Sequence, residues 1–343
     1  MRQNAHPSPD HHPSSRPFGP HPPVALALVL LGLGTFLLVL APMLEWYVAP
    51  RAAVNPIDID TTAVYSGNGA YFDAAEVQTL HDKRITVTQR VRGDVADSER
   101  SGRAVWDVTT TVDTDKSLPA ADPHDALLFS PHRWVTDRRT NKPVHCCQEN
   151  PYFAGDAYLK FPFDVQKHAY RWWDSSLGAP ITLDYRGTKK IQGYTGYRFT
   201  GTVAPTKVGT RMVPGGIVDQ PERSQVLAEE WYSNHGIELV VDQRTGRVLY
   251  AQVGPRRTLR APEAKNDAVL LLDAEKLAFT TATQKFAVKQ AKKESGQLRM
   301  VGETLPLGAG VLGFVLAATG GVLVVRGRRD PGSSGTSPSP LTM

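Results

Sequence analysis

The residue types best suited to chemistry in this sequence are two adjacent cysteines, in the segment His145-Cys146-Cys147-Gln148-Glu149. Outside the cytoplasm such cysteines are expected to be oxidised, and neighbours along a chain can close a small ring as a vicinal disulfide. The alternatives are two buried thiols, bridges to another molecule, or a redox or metal site. Cys-x-x-Cys is absent, and His145 with Glu149 is a small ligand set. We favour a structural pair, as a disulfide or as buried thiols, and leave the other readings open.

The common local signatures of enzymes are missing from the sequence. It has no Gly-x-Ser-x-Gly, no His-Glu-x-x-His, no Walker loop and no Gly-x-Gly-x-x-Gly after a strand. The histidines outside the N-terminal tail keep no fixed spacing to a serine or a carboxylate pair: His81, His124, His132, His145, His168 and His235. We therefore expect no catalytic residues, no cofactor and no metal, and a protein that is not an enzyme.

Two long apolar stretches predict membrane anchors. Residues 24–44 and 305–325 are each 21 residues long and carry no charge. At about 1.5 Å per residue, each would span the roughly 30 Å of a bilayer core. A cleavable signal peptide is the alternative for the first stretch, but its apolar part exceeds the usual ~7–15 residues. We predict two transmembrane helices.

The charges beside these stretches predict the topology. Five arginines lie at their outer ends: Arg2, Arg16, Arg326, Arg328 and Arg329. Because positive residues stay on the cytoplasmic side, we predict a two-pass plasma-membrane protein with both termini cytoplasmic and residues 45–304 extracytoplasmic. The tails, 1–23 and 326–343, are rich in Pro, Gly or Ser and are expected to be disordered.

The charge of the central region argues against nucleic acid as a partner. The chain has a net charge of +5, but residues 45–304 hold 34 basic and 32 acidic groups. A nearly neutral domain lacks the basic footprint that nucleic-acid binding needs, so no such partner is predicted.

The second apolar stretch carries small residues at four-residue spacing: Ala309, Gly313, Ala317 and Gly321. On a helix they would form one ridge that lets another helix approach closely. Its partner would be the first span or another membrane protein.

Between the two stretches the sequence reads as mostly β. Four segments alternate apolar and polar residues with the period of half-buried antiparallel strands: 85–91, 106–112, 197–203 and 237–241. Residues 280–298 hold good helix formers behind Thr280, a candidate N-cap. We predict an α+β fold, in which a curved, mostly antiparallel sheet with a C-terminal helix is anchored by two transmembrane helices.

Two segments share one turn signature. WVTDRRTNKPVH (134–145) aligns with LVVDQRTGRVLY (239–250), and each has an Asp followed by a Thr and then by Asn141 or Gly246. Asn and Gly are the residues best able to adopt positive φ. We predict that both segments are hairpin turns of the same type.

The densest aromatic segment, residues 161–173, fits either a core or an apolar binding surface. A sheet with one apolar face and a membrane anchor at each end would suit a lipid-sized ligand, since such pockets are mostly apolar with a few polar groups. We predict lipid binding by five residues: Phe161, Phe163, Trp172, Tyr197 and Phe199.

The order of several short motifs resembles an actinobacterial two-span envelope family of unknown function, catalogued as the porin PorA family. The motifs are Tyr71-Phe72-Asp73, Ile85–Asp94, Ala104–Asp107, Phe161-Pro162-Phe163, Trp173-Asp174, Gly193–Phe199, Asp242–Gly246 and Leu305-Pro306, which cover roughly residues 24–325. The resemblance implies a large outer domain between two spans. It also implies a link to the movement or maturation of envelope lipids and lipoglycans, in partnership with lipid exporters, and it brings no catalytic residues.

The name porin conflicts with the predicted anchors. A membrane barrel is built from strands of ~9–11 residues and has no apolar helical anchors. We predict a non-enzymatic cell-envelope protein whose outer domain binds or relays an envelope lipid or lipoglycan, with the membrane and a lipid exporter or other membrane protein as partners. The alternative is a scaffold that docks onto other envelope machinery and binds no ligand.

Overall fold

The computed structural model describes residues 24–119, 122 and 124–328. The chain divides into two compact units: residues 48–301, and a smaller unit whose described parts are 24–47 and 302–328. The predicted tail 1–23 lies outside the described residues, as does the predicted C-terminal tail from residue 329 onward. Residues 326–328, predicted to be disordered, form the end of a helix.

The smaller unit is helical, as expected for two uncharged stretches rich in Leu, Val and Ala. Its helices are α1 (Val24–Met43) and α5 (Leu305–Arg328), which pack against each other. π-Helical turns at Leu44–Val48 and Met300–Thr304 join them to α2 (Ala49–Ala52) and α4 (Thr281–Arg299). The resulting helical stretches, Ala25–Ala52 and Thr281–Arg326, are long and apolar enough to cross a membrane.

The unit 48–301 is built on one antiparallel sheet of 12 strands. The strands are β1 (Asp60–Asp73), β2 (Gln78–Gly93), β3 (Ala104–Thr114), β4 (Leu128–Thr136), β5 (Tyr170–Asp174), β6 (Ala179–Ile191), β7 (Tyr194–Val213), β8 (Val226–Val241), β9 (Val248–Val253), β10 (Pro255–Arg260), β11 (Val269–Asp273) and β12 (Leu277–Phe279). Their order is β4-β3-β2-β1-β11-β10-β8-β7-β6-β5, with β12 beside β1 and β9, and β9 beside β8. Helix α3 (Val95–Ser101) and a 3-10 turn (Gly215–Val218) complete the unit. The α+β fold class is confirmed.

Two long strands of the sheet, β1 and β8, each pair along one side with two shorter strands. The long strand β8 pairs with both β9 and β10, and the long strand β1 pairs with both β11 and β12. Gly254 separates β9 from β10, where a Cβ would lie 2.8 Å from the carbonyl oxygen of Glu275. Such breaks, together with the register shifts in β1 and β7, are the features that bend a sheet.

The two edge strands of the sheet approach one aromatic side chain. Phe153, in the connection between β4 and β5, lies 4.4 Å (ring centroids) from Trp134 of β4 and 5.2 Å from Trp173 of β5. Because both edges contact the same ring, the sheet must curl on itself. The predicted curvature follows from this contact.

Helix α4 covers part of the sheet and completes the largest hydrophobic core. Thr280 caps it by accepting a hydrogen bond from the backbone N–H of Thr283 at 3.3 Å, an arrangement worth about 1 kcal/mol. Thr283 Oγ1 in turn donates to the carbonyl oxygen of Val64 in β1. Val288 and Ala291 of α4 are buried in the core. The predicted helix and its N-cap are confirmed.

The two matching segments form the same turn. Asn141 (φ 55°) donates its backbone N–H to the carbonyl of Asp137 at 3.0 Å, and Gly246 (φ 72°) donates to Asp242 at 2.9 Å. In each turn the aspartate carboxylate also accepts from the backbone and hydroxyl of the intervening threonine. The prediction of one turn type at both places is confirmed.

Candidate functional site

A central cavity of about 250 Å³ lies inside the curve of the sheet. Its wall includes Leu128 of β4, Trp172 of β5 and Leu272 of β11, so both edges and the middle of the sheet contribute. Most of the wall is apolar: Tyr65, Val87, Val112, Leu128, Trp172, Ile237, Leu239, Val253, Leu272 and Leu277. A mostly apolar wall with a few polar groups is typical of small-molecule pockets.

Two further cavities adjoin the central one, because lining residues are shared. A charged cavity of about 550 Å³ shares Val112, Leu128, Arg257 and Leu272 with it. A helix cavity of about 140 Å³, bounded by α4, shares Gln89 and Leu159 with it. The charged cavity lies within the about 300–1,000 Å³ range of ligand pockets, and the central and helix cavities are each smaller than that range.

A few polar groups interrupt the apolar wall of the central cavity. His132 Nδ1 and Trp173 Nε1 are buried and have no hydrogen-bond partner among the described residues. Burial also lowers the pKa of His132, which favours its neutral form. Because unpaired buried polar atoms cost free energy, a hydrogen bond to either atom would be stabilising.

Asp174 forms a tightly bonded part of the same wall. Its Oδ2 accepts a hydrogen bond from the Tyr232 hydroxyl at 2.9 Å, and its Oδ1 accepts from the backbone N–H groups of Ser176 and Leu177. Asn234 donates to the Tyr232 hydroxyl at 3.1 Å. Burial raises the pKa values of both Asp174 and Tyr232. Because both of its oxygens accept hydrogen bonds, Asp174 holds the Tyr232 side chain and the backbone of residues 176–177 in place along the wall.

Three basic side chains of the charged cavity pair with carboxylates. Arg257 Nη1 donates to Glu230 Oε1 at 2.8 Å, and Arg211 Nη2 donates to Glu230 Oε2 at 3.1 Å. Lys116 Nζ lies 2.8 Å from Asp73 Oδ2. Since Arg257 lines both the charged and the central cavity, it marks the boundary between polar and apolar surroundings.

The helix cavity is lined by a half-buried lysine, Lys160. Lys160 Nζ donates to Asn55 Oδ1 and lies 3.7 Å from the centre of the Phe163 ring. Burial, and secondarily the nearby Arg247 guanidinium, lowers the pKa of Lys160 to about 7. Arg247 is itself paired with Glu294 of α4 through two hydrogen bonds.

Both matching turns hold the backbone around Lys160. The side-chain amide of Asn141 donates to the carbonyl oxygen of Lys160, and the backbone N–H of Phe161 donates to the carbonyl of Gly246 at 2.9 Å. A Cβ on Gly246 would lie 2.2 Å from the Phe161 carbonyl oxygen, so this turn requires glycine for space as well as for its φ. The two matching turns therefore position Lys160, a residue that was not predicted from the sequence.

Three of the five residues predicted to bind lipid lie together in the structure: Phe161, Trp172 and Phe199. Phe161 and Phe199 are fully buried, with ring centroids 4.9 Å apart, in the core that α4 covers. Phe163 lies beneath Lys160, and Tyr197 packs edge-on to Tyr185 at 5.3 Å. Of the five, Trp172 lines the central cavity.

The adjacent cysteines form a vicinal disulfide, with their Cα atoms 3.8 Å apart. The carbonyl of Cys147 accepts a hydrogen bond from Arg133 Nε at 2.9 Å, and Arg133 also pairs with Asp94 and Asp107. Neither cysteine lines the three cavities. Across the described part of the chain, no group of three His, Cys, Asp or Glu side chains could hold a metal ion.

Small residues bring α1 and α5 into close contact. A Cβ on Gly34 of α1 would lie 2.3 Å from the backbone nitrogen of Ala317 and 2.8 Å from the carbonyl oxygen of Gly313. Two members of the predicted ridge, Gly313 and Ala317, thus face the first span.

The two end residues of the predicted ridge, Ala309 and Gly321, are packed less closely than its middle. Ala309 is half-buried. A Cβ on Gly320 would lie 2.6 Å from a backbone nitrogen of α1, whereas one on Gly321 would meet nothing within 4 Å. An α-helix has about 3.6 residues per turn, so each four-residue step rotates by about 40° and the contact moves from position 321 to 320.

Comparison with known proteins gives one family. A family model described as Porin PorA matches residues 26–322, which include most of α1 and α5 and all of the unit 48–301. No curated protein matches the chain.

Proposed function

Because the chain belongs to the Porin PorA family, we propose that it is a membrane-anchored envelope protein whose unit 48–301 binds an amphiphilic lipid in its three cavities. The observation that carries this proposal is that an apolar cavity adjoins a charged cavity on one side and a cavity lined by Lys160 on the other. An amphiphilic lipid, with an apolar chain and a polar end, would match the apolar central cavity together with one of its polar neighbours. The protein would bind or relay its lipid without chemical change.

The polar character of the sheet's outward face favours a lipid carrier rather than a membrane pore. On β2, Val87 and Gln89 point into the cavities, while Arg84 and Arg90 are on the opposite face and are exposed. A membrane barrel needs the reverse arrangement, with an apolar band facing outward. The apolar surface of this sheet is instead directed at its own interior.

Two helical anchors would keep such a carrier at the membrane that supplies its ligand. The flanking arginines favour two passes with both termini cytoplasmic, which would place the unit 48–301 outside the cytoplasm. In this arrangement the lipid or lipoglycan would come from the outer leaflet, or from a lipid exporter beside the protein.

Photoaffinity labelling of the full chain in detergent tests the proposal. The probe is a long-chain fatty acid with a diazirine in its chain, and the labelled peptides are identified by mass spectrometry. We expect labels on peptides from β2, β3 and β8, and a several-fold loss of these labels in Val87→Trp, which fills the central cavity. Thr88→Trp is the matched control, because neighbouring residues of a strand point to opposite faces.

The labelling has two outcomes that would contradict the proposal. Labels confined to α1 and α5 would show only contact between the probe and the anchors. Equal labelling of the sheet in Val87→Trp and Thr88→Trp would place the probe outside the cavity. Either result would favour the scaffold that binds no lipid.

A further inference from the structure

The half-buried side chain of Lys160 has no carboxylate partner. Its hydrogen bond goes to the neutral amide of Asn55, and its other close contact is the face of the Phe163 ring. Among the residues that the structure describes, no Asp or Glu forms an ion pair with it. Buried charges in proteins are normally paired, because removing an ion from water is costly.

One guanidinium and two carboxylates lie near Lys160, and each of them is hydrogen-bonded to a group other than its amine. Arg247, which precedes β9, and Glu294 of α4 neutralise each other through two hydrogen bonds. Asp242, at the turn after β8, interacts electrostatically with Lys160. Its carboxylate is occupied by Thr245 and the Tyr194 hydroxyl.

The helix cavity that Lys160 lines is small and adjoins the apolar one. At about 140 Å³, it has room for only a few groups the size of a water molecule, which takes about 30 Å³ in the liquid. Gln89 and Leu159 line both this cavity and the central cavity. A compact polar group beside Lys160 could therefore be attached to a chain in the central cavity.

We propose that the helix cavity is an oxyanion site, in which Lys160 and Arg247 bind the carboxylate or phosphate of an amphiphile whose chain lies in the central cavity. This inference rests on the proposed function and adds the chemical class of the ligand, an amphiphile with a small anionic head. Charge-assisted hydrogen bonds from Lys and Arg are the usual means of binding such groups.

Binding would be accompanied by proton uptake. In the free protein the pKa of Lys160 is lowered to about 7, so at pH 8 most of its side chain is neutral. An oxyanion beside the amine favours the charged form and raises its pKa. At pH 8 the complex therefore takes up close to one proton per ligand.

Calorimetric titration of the full chain in detergent, at pH 8 in two buffers of different ionisation enthalpy, measures both affinity and proton uptake. The ligands are hexadecanoate, its methyl ester, hexadecyl phosphate and inorganic phosphate. We expect the anionic amphiphiles to bind about 10-fold or more tightly than the ester, as for a hydrogen bond to a charged group. Inorganic phosphate should bind far more weakly than hexadecyl phosphate.

Three variants isolate the contribution of Lys160. Lys160→Met should remove both the preference for anions and the proton uptake. Lys160→Arg should keep the preference but lose the uptake, because arginine stays charged. Lys190→Met changes an exposed lysine of β6 and should behave as the original chain. Proton uptake is taken as the difference from Lys160→Met, so the titration of the ligand itself cancels.

The outcomes separate this inference from the proposed function. If acid and ester bind equally and Lys160→Met changes nothing, the oxyanion site is wrong while the lipid cavity stands. If neither amphiphile binds, the proposed function fails and the inference fails with it. If inorganic phosphate binds as tightly as hexadecyl phosphate, the site is not for the head of an amphiphile.

Discussion

Replacing Lys160 with Met should remove a pH-dependent part of the stability of the free protein. Folding lowers the pKa of Lys160 from 10.5 to about 7, chiefly because burial disfavours the charged amine. Between these two values the unfolded chain binds more protons than the folded chain. The free energy of unfolding therefore rises with pH across this window and is lowest below pH 7, where the folded protein must bury the charge.

The magnitude follows from the two pKa values. A difference of one pKa unit corresponds to about 1.36 kcal/mol, so lowering the pKa from 10.5 to about 7 sets a limit of roughly 5 kcal/mol for the full window. Between pH 6 and pH 9 the expected rise is about 2.5 kcal/mol at most, since part of the window lies above pH 9. The lost hydrogen bond to Asn55 lowers the stability of Lys160→Met by an amount that does not change with pH.

Denaturant unfolding of the full chain in detergent, followed by tryptophan fluorescence at pH 6, 7, 8 and 9, measures this effect. We expect the stability difference between the original chain and Lys160→Met to change by about 2 kcal/mol over this range. Lys190→Met, on the exposed surface of β6, should show no such change. A pH-independent difference for Lys160→Met would refute the assignment of Lys160 as a desolvated amine without an ion-pair partner.

Three further predictions concern the turns, the helices and the cysteines. Gly246→Ala should destabilise the protein by about 2–4 kcal/mol in denaturant unfolding, because it combines positive φ with a clash, whereas Gly178→Ala should cost only about 1–2 kcal/mol for its φ; equal losses would contradict the crowding at Gly246. Gly34→Val should lower the melting temperature of the detergent-solubilised chain, and it should abolish crosslinking between cysteines introduced into α1 and α5. Gly32→Val should do neither, because a Cβ at Gly32 would meet nothing within 4 Å. Intact protein treated with iodoacetamide should gain no mass without a reductant and two alkyl groups after reduction, and modification without a reductant would contradict the vicinal disulfide.

The features that could be predicted from the sequence are those fixed by neighbouring residues. Period-2 alternation identified segments of β2, β3, β7 and β8, and Thr280 identified the start of α4. The two turns were recognisable because Asp, Thr and an αL residue act within five positions of each other. Each of these signals depends on contacts over a short stretch of chain.

The candidate site depends on contacts that the sequence pattern does not contain. Alternation shows which side chains share a face, but not where α4 covers that face, so the burial of Phe161 and Phe199 in the core could not be predicted from it. Lys160 is positioned by two turns that are more than 100 residues apart. Gly320 replaces Gly321 in the helix contact because a four-residue spacing drifts around a helix.

The central claim is that the cavities hold an amphiphile, and native mass spectrometry of the full chain before and after organic extraction tests it most directly. The protein would be produced in a related host, so that envelope lipids are present during folding. We predict a discrete bound mass that is lost on extraction, that is restored by adding envelope lipid, and that is absent from Val87→Trp but present in Thr88→Trp. A single ligand-free mass, unchanged by added envelope lipid, would contradict the claim, and so would a bound mass that Val87→Trp retains.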